Sequence, residues 1–321
     1  MKVLVTGGCG FIGSHVVDAY LRKTYQVVVV DNLSTGKRSN VSGQALVYVA
    51  DVTGPGLDEI FEMEKPDIVA HLAAQISVPQ SVKDPLFDAE VNIKGTLRLL
   101  ELSQRYGVKK FIFSSTGGAI YGEATQVPTP EDYVPHPASP YAIAKFTAEH
   151  YIRFYSSQHG LNYTILRYSN VYGPRQIPHG EAGVVAIFTE ALLQGNVPTV
   201  NHFPGEPEGM IRDYCFVKDV AEANIIAAAS GSAGIHNVGT GRGTTTMQLY
   251  RMVLAALRER GVSLTGRFDE PPRDRAREGD IRVSTLDVTR TERELGFRAG
   301  TDLSSGLAQT VEWYLEQNRQ A

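Results

Sequence analysis

Short apolar, β-rich runs alternate with stretches of helical period through the first half of the chain. Lys2–Thr6, Gln26–Val30, Leu46–Val49, Ile68–His71, Phe111–Ser115 and Tyr163–Arg167 read as strands. Between them Phe11–Arg22, Gly56–Met63, Asp88–Tyr106 and Ser139–His159 repeat apolar positions at helical spacing. This alternation predicts a parallel sheet, doubly wound with helices on both faces and right-handed crossovers. After about residue 170 the pattern changes. Gly- and Pro-rich stretches at Tyr172–Gly183, Asn201–Met210 and Glu270–Gly279 read as loops, and helical period returns at Val184–Gln194, Thr246–Arg260 and Leu303–Gln317. The expected division is a sheet domain over residues 1–170, to which later segments return, and a smaller α/β unit over residues 171–321 that wraps a substrate with loops.

Composition narrows the function. The chain has 321 residues, 42% of them hydrophobic, and a formal net charge of −4, which leaves no broad basic surface for nucleic acid. Cys9 and Cys215 form no CxxC pair, so neither a metal site nor a redox motif is expected. No apolar run approaches the ~20 residues of a membrane span. The N-terminal strand runs at once into a glycine turn, unlike a signal peptide, and the cytoplasm is the expected location.

The first chemical motif follows the first strand. Gly7, Gly8, Gly10 and Gly13 give Gly8-x-Gly10-x-x-Gly13 between a strand and a helix. Glycine there permits a tight turn, brings backbone N–H groups close to a pyrophosphate, and lets the helix pack against the strand. Phe11 and Ile12 open that helix. Asp31 ends the second strand, 18 residues past Gly13. A carboxylate there accepts the hydroxyls of an adenosine ribose and repels a 2′-phosphate, so NAD is expected over NADP; Lys37 and Arg38 act against that preference. Asn32 adjoins Asp31. Asp51-Val52 follows the third strand, either at the adenine edge or as a plain turn aspartate. Leu72, Ala73 and Ala74 end the fourth strand with small side chains over which a cofactor could pass. The expected fold is therefore a Rossmann-type α/β core.

The second motif is Tyr141-x-x-x-Lys145, just after Ser139-Pro140. The spacing puts both side chains on one helix face. A nearby ammonium and a cationic nicotinamide would favour the phenolate and bring a tyrosine from near ~10 toward the range useful for proton transfer. Upstream, Ser114-Ser115-Thr116 closes a central strand, where hydroxyls face the ligand crevice of such sheets.

Together these residues resemble the extended short-chain dehydrogenase/reductase family, and within it the UDP-hexose 4-epimerases. The resemblance spans nearly the whole chain. It rests on Thr6–Gly13, Asp31–Leu33, Ser114–Gly122, Tyr141–Lys145, Leu166–Arg175, Arg212-Asp213-Tyr214 and Arg277-Glu278-Gly279-Asp280. It implies Tyr141 as acid/base and Lys145 as its electrostatic partner and a nicotinamide-ribose ligand. It also implies a hydroxyl at Thr116, although one extra residue before Tyr121 leaves Ser115 as the alternative. Asn92 resembles an asparagine near cofactor and sugar. The family's lysine after the fourth strand has no counterpart in Ala73–Val78.

By the same resemblance Asn170, Arg212, Arg277 and Asp280 hold a UDP group, the arginines on its diphosphate. The local alternatives are a structural Arg212-Asp213 pair and a solvated loop over residues 273–282. Phe203 packs either near the uracil or in the core. Ser284 leaves room beside the sugar C2 substituent. Family members are commonly homodimers through two helices, here Asp88–Tyr106 and Ser139–His159. Related dehydratases and decarboxylases carry an acid directly after the hydroxyl, where this chain has Gly117-Gly118-Ala119. That favours a 4-epimerase with retained NAD over elimination. Another NAD enzyme of the scaffold, such as a UDP-glucuronate 4-epimerase, and a non-catalytic NAD sensor are the competing readings.

Overall fold

A computed structural model describes residues 1–178, 183–231, 233–277 and 279–320, with residue 320 described by its backbone only. Glu278 and residues 179–182 of the loop expected at Tyr172–Gly183 lie outside the described residues. In chain order the strands are β1 (Lys2–Thr6), β2 (Gln26–Asp31), β3 (Leu46–Val49), β4 (Ile68–His71), β5 (Lys110–Thr116), β6 (Tyr163–Tyr168), β7 (Asn170–Tyr172), β8 (Val200–His202), β9 (Ile211–Phe216), β10 (Gly234–Val238), β11 (Gly243–Thr245), β12 (Arg273–Arg275) and β13 (Val283–Ser284). The longer helices are α1 (Phe11–Arg22), α2 (Leu57–Glu64), α3 (Gly95–Arg105), α4 (Pro140–His159), α5 (Val184–Leu193), α6 (Val217–Ala229), α7 (Thr246–Arg258) and α8 (Leu303–Gln320).

Seven parallel strands form the main sheet in the order β10-β6-β5-β4-β1-β2-β3. Successive side chains of β1 enter opposite cores, as strand geometry requires. Val3 and Val5 pack with α1 residues Val16, Val17 and Tyr20 and α6 residues Val220 and Ala223. Leu4 packs on the other face with Leu57 and Phe61 of α2, Leu99 of α3 and Ile152 of α4. Strand order reverses between β1 and β4, so the crevice beyond their C-terminal ends is the expected ligand site. A third core joins α5, α7 and α8 to β7 and β9 through Tyr172, Phe188, Phe216, Tyr250 and Val311. A smaller sheet has β9 at its centre, with β11 antiparallel on it and β13 and β7 parallel.

The structure departs from the sequence reading in three places. Asp88–Tyr106 is not one helix: Pro85–Ala89 leads into a π-helical turn at Glu90–Lys94 before α3. Two expected loops instead contain a short ribbon, β8 against β12, with Val200 opposite Arg273. Neither strand exceeds three residues and the pairing is distant in sequence, so no local period announces it. α6 and β10 were not foreseen either. β10 carries buried His236 and Asn237, which interrupt the apolar signal. No described helix is long and apolar enough to cross a membrane.

Candidate active site

A cleft of about 950 Å³ opens at the C-terminal ends of the central strands. Of the residues expected to bind cofactor, Gly7, Gly10, Phe11, Ile12, Gly13, Asp31, Asn32, Asp51, Val52, Leu72, Ala73, Ala74, Tyr141 and Lys145 all line it. The glycine turn is sterically obligatory. Gly7 has φ +68°, and a Cβ there would meet Ala73 N at 2.7 Å. Gly10 caps α1 without a side-chain hydrogen bond, which leaves the helix N-terminus open to an anion. At the switch point the Thr6 hydroxyl accepts Leu72 N–H and Ala73 N–H, at 3.2 and 3.1 Å, and approaches His71 Nδ1 at 2.8 Å.

Asp31 is held in place by two backbone groups. Its Oδ2 accepts Cys9 N–H and its Oδ1 accepts Leu33 N–H, both at 2.8 Å. Asp51 receives Asn32 Nδ2 at 2.7 Å and the N–H and hydroxyl of Thr53. Burial opposes the charge on Asp51, but these hydrogen bonds prevail and its pKa lies below the ordinary value. Lys37 lines the same cleft. Asn92 does not line it. Its amide bridges the backbone of Gln75, accepting Gln75 N–H and donating to Gln75 O at 3.0 Å each, and donates to Asp88 at 3.0 Å. Asn92 thus anchors the loop after β4 from behind.

Tyr141 and Lys145 both face the cleft from the first turns of α4, whose N-cap Ser139 accepts Ala142 N–H at 3.3 Å. Lys145 is buried, donates to the Ser114 carbonyl at 3.0 Å and sits 4.7 Å over the Phe113 ring. Burial pulls its pKa down to about 8 against the opposing charges of Asp88 and Glu149. Burial, with Asp88 adding to it, pushes Tyr141 up to about 12. In the polypeptide alone burial sets the direction, whereas the lowering expected of Tyr141 joined Lys145 to a cationic nicotinamide, which only a bound cofactor supplies.

The two candidate hydroxyls differ in commitment. Ser115 is buried and donates to Glu149 Oε1 at 2.5 Å. Thr116 is half-buried at the end of β5. The Cβ position of Gly118 lies 3.9 Å from Thr116 Oγ1 and 3.8 Å from Asn170 Nδ2, so these two groups share one side of the turn. Asn170 Nδ2 is buried without a hydrogen-bond partner, as is Ser169 Oγ.

The nucleotide-sugar residues lie outside the wall of the main cleft. They gather instead on the smaller sheet. Ser284 pairs with Arg212 and Asn170 with Tyr214, two residues on from Arg212. Strand alternation then places Asn170, Arg212 and Ser284 on one face. Burial lowers the Arg212 pKa, opposed by Tyr214, Asp280 and Glu123. Arg212 and Asp213 are not a pair: Asp213 is fully buried and accepts Thr240 N–H, the Thr240 hydroxyl and Gly241 N–H. Asp280 accepts Arg277 N–H at 2.8 Å, and Arg277 is exposed. Phe203 carries the Arg282 guanidinium 4.1 Å above its ring.

The profile of the NAD dependent epimerase/dehydratase family matches residues 3–239. The chain belongs to this family. It is 41% identical to a UDP-glucose 4-epimerase from Mycolicibacterium smegmatis, over 99% of this chain and 100% of that one. Among solved structures, a UDP-glucose 4-epimerase from Thermotoga maritima with UDP-glucose superposes with a TM-score of 0.92 at 49% identity, over 99% of this chain and 100% of that one. A Thermus thermophilus UDP-glucose 4-epimerase in complex with NAD gives 0.90 at 44%, over 98% and 99%.

Within this family member, sequence reasoning missed part of the cleft wall. Gln75 and Ser77 line it, and Gln75 is fixed by its Nε2 donating to Asp88 at 2.8 Å. Arg175, which pairs with Asp18 at 2.8 Å, and Tyr314, whose hydroxyl donates to Gln176 O, close it from the other lobe. Arg175 closes the Leu166–Arg175 run that carried the resemblance, and Gln75 lies in the Ala73–Val78 segment after β4, but neither was assigned to the cleft. Tyr314 reaches the cleft through a helix read simply as amphipathic.

Proposed function

We propose that the chain is a UDP-hexose 4-epimerase that interconverts UDP-glucose and UDP-galactose through a transient 4-keto sugar, with NAD retained through turnover. The observation that carries this reading is the turn after Thr116. A Cβ on Gly117 would stand 2.6 Å from Cδ1 of the buried Leu286, so an eliminating acid at that position would have to displace this side chain, and the chain carries none there. Water loss then lacks its usual proton donor, which favours return of the hydride to the oxidised sugar.

The residues present fit the cofactor: an uncapped helix N-terminus at Gly10, a carboxylate at Asp31 and a cleft free of side chains at Gly7. Bound NAD would supply a hydride acceptor and donor for C4. Tyr141 takes the proton of the C4 hydroxyl and returns it on the opposite face. Lys145 supplies positive charge beneath it, and Thr116 aligns the hydroxyl. Arg212, Arg277, Asn170 and Asp280 anchor the UDP group, with Phe203 beside the base, so the hexose can turn over while the diphosphate stays fixed. Ser284, beside Arg212, leaves space for an N-acetylated sugar. A cytoplasmic homodimer completes the proposal. Two free buried cysteines suit a reducing compartment, and Ile143 and Phe154 on α4 are half exposed.

Incubation of the purified protein with UDP-galactose, without added NAD, tests this. UDP-glucose is the expected product. A dehydrated 4-keto sugar, or no product even with NAD added, overturns the reading, and UDP-glucuronate is then the next substrate to try.

A further inference from the structure

Glu149 lies outside the reacting set yet continues it. Tyr141, Lys145 and Glu149 follow one another at intervals of four on α4, so they form a single stripe. Two members of the stripe are tied to consecutive residues of β5. Lys145 Nζ donates to the Ser114 carbonyl at 3.0 Å, and the Ser115 hydroxyl donates to Glu149 Oε1 at 2.5 Å. The same carboxylate receives Arg167 from β6 as a fork, Nε to Oε1 at 3.0 Å and Nη2 to Oε2 at 2.6 Å. Both side chains are 2% exposed. Arg167 Nη1 continues to the Tyr121 hydroxyl at 2.9 Å and the Glu131 carbonyl at 3.1 Å. One cluster therefore joins the helix that carries Tyr141, the strand that ends at Thr116, and the loop that follows it.

Stability alone gives little reason for such a pair, because two buried charges replaced together by apolar side chains leave a protein about as stable as before. Position gives a better one. The contacts hold α4 at two points one turn apart, Lys145 on the Ser114 carbonyl and Glu149 on the Ser115 hydroxyl, and so resist both its rotation and its sliding.

We propose that Glu149 is a positioning residue: with Ser115 and Arg167 it sets the rotation and height of α4 over the end of β5, and so the place of Tyr141 and Lys145 relative to Thr116. This rests on the epimerase reading of the same site. It also assigns the Ser115 hydroxyl to the scaffold, not to the sugar.

The test compares full-length wild type with Glu149→Leu/Arg167→Met, which removes both charges and strands neither. Thermal unfolding, retained NAD, and kcat and KM for UDP-galactose are measured on each. The double variant is expected to fold and hold NAD, with KM nearly unchanged and kcat about 100-fold lower, the scale of a small misplacement of reacting groups. Ser115→Ala, which leaves the ion pair whole, is expected to lose about 10-fold in kcat and decides the matter if the double variant does not fold. Folded variants with wild-type kcat, or with a loss confined to KM, overturn the proposal. A Ser115→Ala loss as deep as that of Tyr141→Phe overturns it too, by making Ser115 the reacting hydroxyl. Wild type that epimerises no UDP-sugar overturns the epimerase reading and this proposal with it, whereas active wild type with equally active variants overturns this proposal alone.

Discussion

A Cβ atom on Gly13 would stand 2.0 Å from the carbonyl oxygen of Gly7. Both partners are backbone, so no side chain can swing away. Gly13→Ala must separate α1 from the glycine turn and spoil the surface that meets the pyrophosphate. The expected cost is about 3 kcal/mol or more in urea unfolding, at the upper end for overpacking, together with loss of co-purifying NAD. Gly43, where a Cβ meets nothing within 4 Å, provides the control. Gly43→Ala should change stability by no more than ~0.5 kcal/mol. A Gly13→Ala protein that is stable and loaded with NAD would refute the steric argument.

Tyr141→Phe keeps the ring and deletes the proton carrier. Its kcat should fall by ~100- to 10,000-fold, while NAD stays bound, because the glycine turn and Asp31 are untouched. Thr116→Val should also lower kcat and leave the fold intact. Steady-state rates with UDP-galactose and the nucleotide content of each purified variant check both statements. Full activity in Thr116→Val would return the choice to Ser115.

Ser284 sits opposite Arg212 in the β13–β9 register, next to the proposed diphosphate anchor. Ser284→Tyr fills the space there with a ring. Turnover of UDP-N-acetylglucosamine should drop at least tenfold relative to UDP-glucose, a discrimination of about 1.4 kcal/mol. A variant that keeps its activity on the N-acetylated sugar would show that the space lies elsewhere.

Much of the cofactor half was legible before the fold was known, because its signals are local. The strand, glycine turn and helix from Lys2 to Arg22 have the boundaries that their period implies, and Asp31 ends β2 as its spacing suggested. What was not legible depends on contacts distant in sequence. The β8–β12 ribbon pairs residues more than seventy positions apart. The hold of Asn92 on the Gln75 backbone carried no signal in the sequence, and neither did the Asp88 that supports both. Burial raises the pKa of Tyr141 in the polypeptide alone, which spacing does not report, and the lowering expected of it needs the cationic nicotinamide as well.

Apolar side chains crowd one surface of the sheet domain. Leu86 is 82% exposed, and Ile143 and Phe154 on α4 are 50% and 52% exposed. On the first of the two segments this surface sits ahead of Asp88 and not along α3. Patches of this kind mark association sites, and self-association of two copies through α4 is expected. Sedimentation should give a dimer, and Phe154→Glu should shift it to monomer while NAD remains bound. A wild-type monomer would remove the need for such a contact.

Lys145 also makes stability depend on pH in a defined direction. Burial holds its folded pKa at about 8, against an ordinary value of 10.5. Between those values the unfolded chain binds the proton and the folded chain does not, so stability rises with pH across the window. Below it both states are charged and the whole cost of the buried ammonium is present, at most about 3 kcal/mol. Above it neither is charged and the cost is gone. Lys145→Met removes the cost but also a hydrogen bond to Ser114, worth about 1 kcal/mol at any pH. The slope is therefore the test, and not the offset. In nucleotide-free protein, the variant's stability relative to wild type should be greatest near neutral pH and decline steadily toward pH 10. Lys110, also lowered to about 8, contributes equally to both proteins and cancels. Tyr141 acts only above pH 10, where the folded chain keeps a proton up to about 12 that the unfolded chain has lost, so the scan stops short of it. Urea midpoints whose difference stays constant over this range would mean that the buried ammonium is as well solvated as a free one, and the desolvation account of the site would fail.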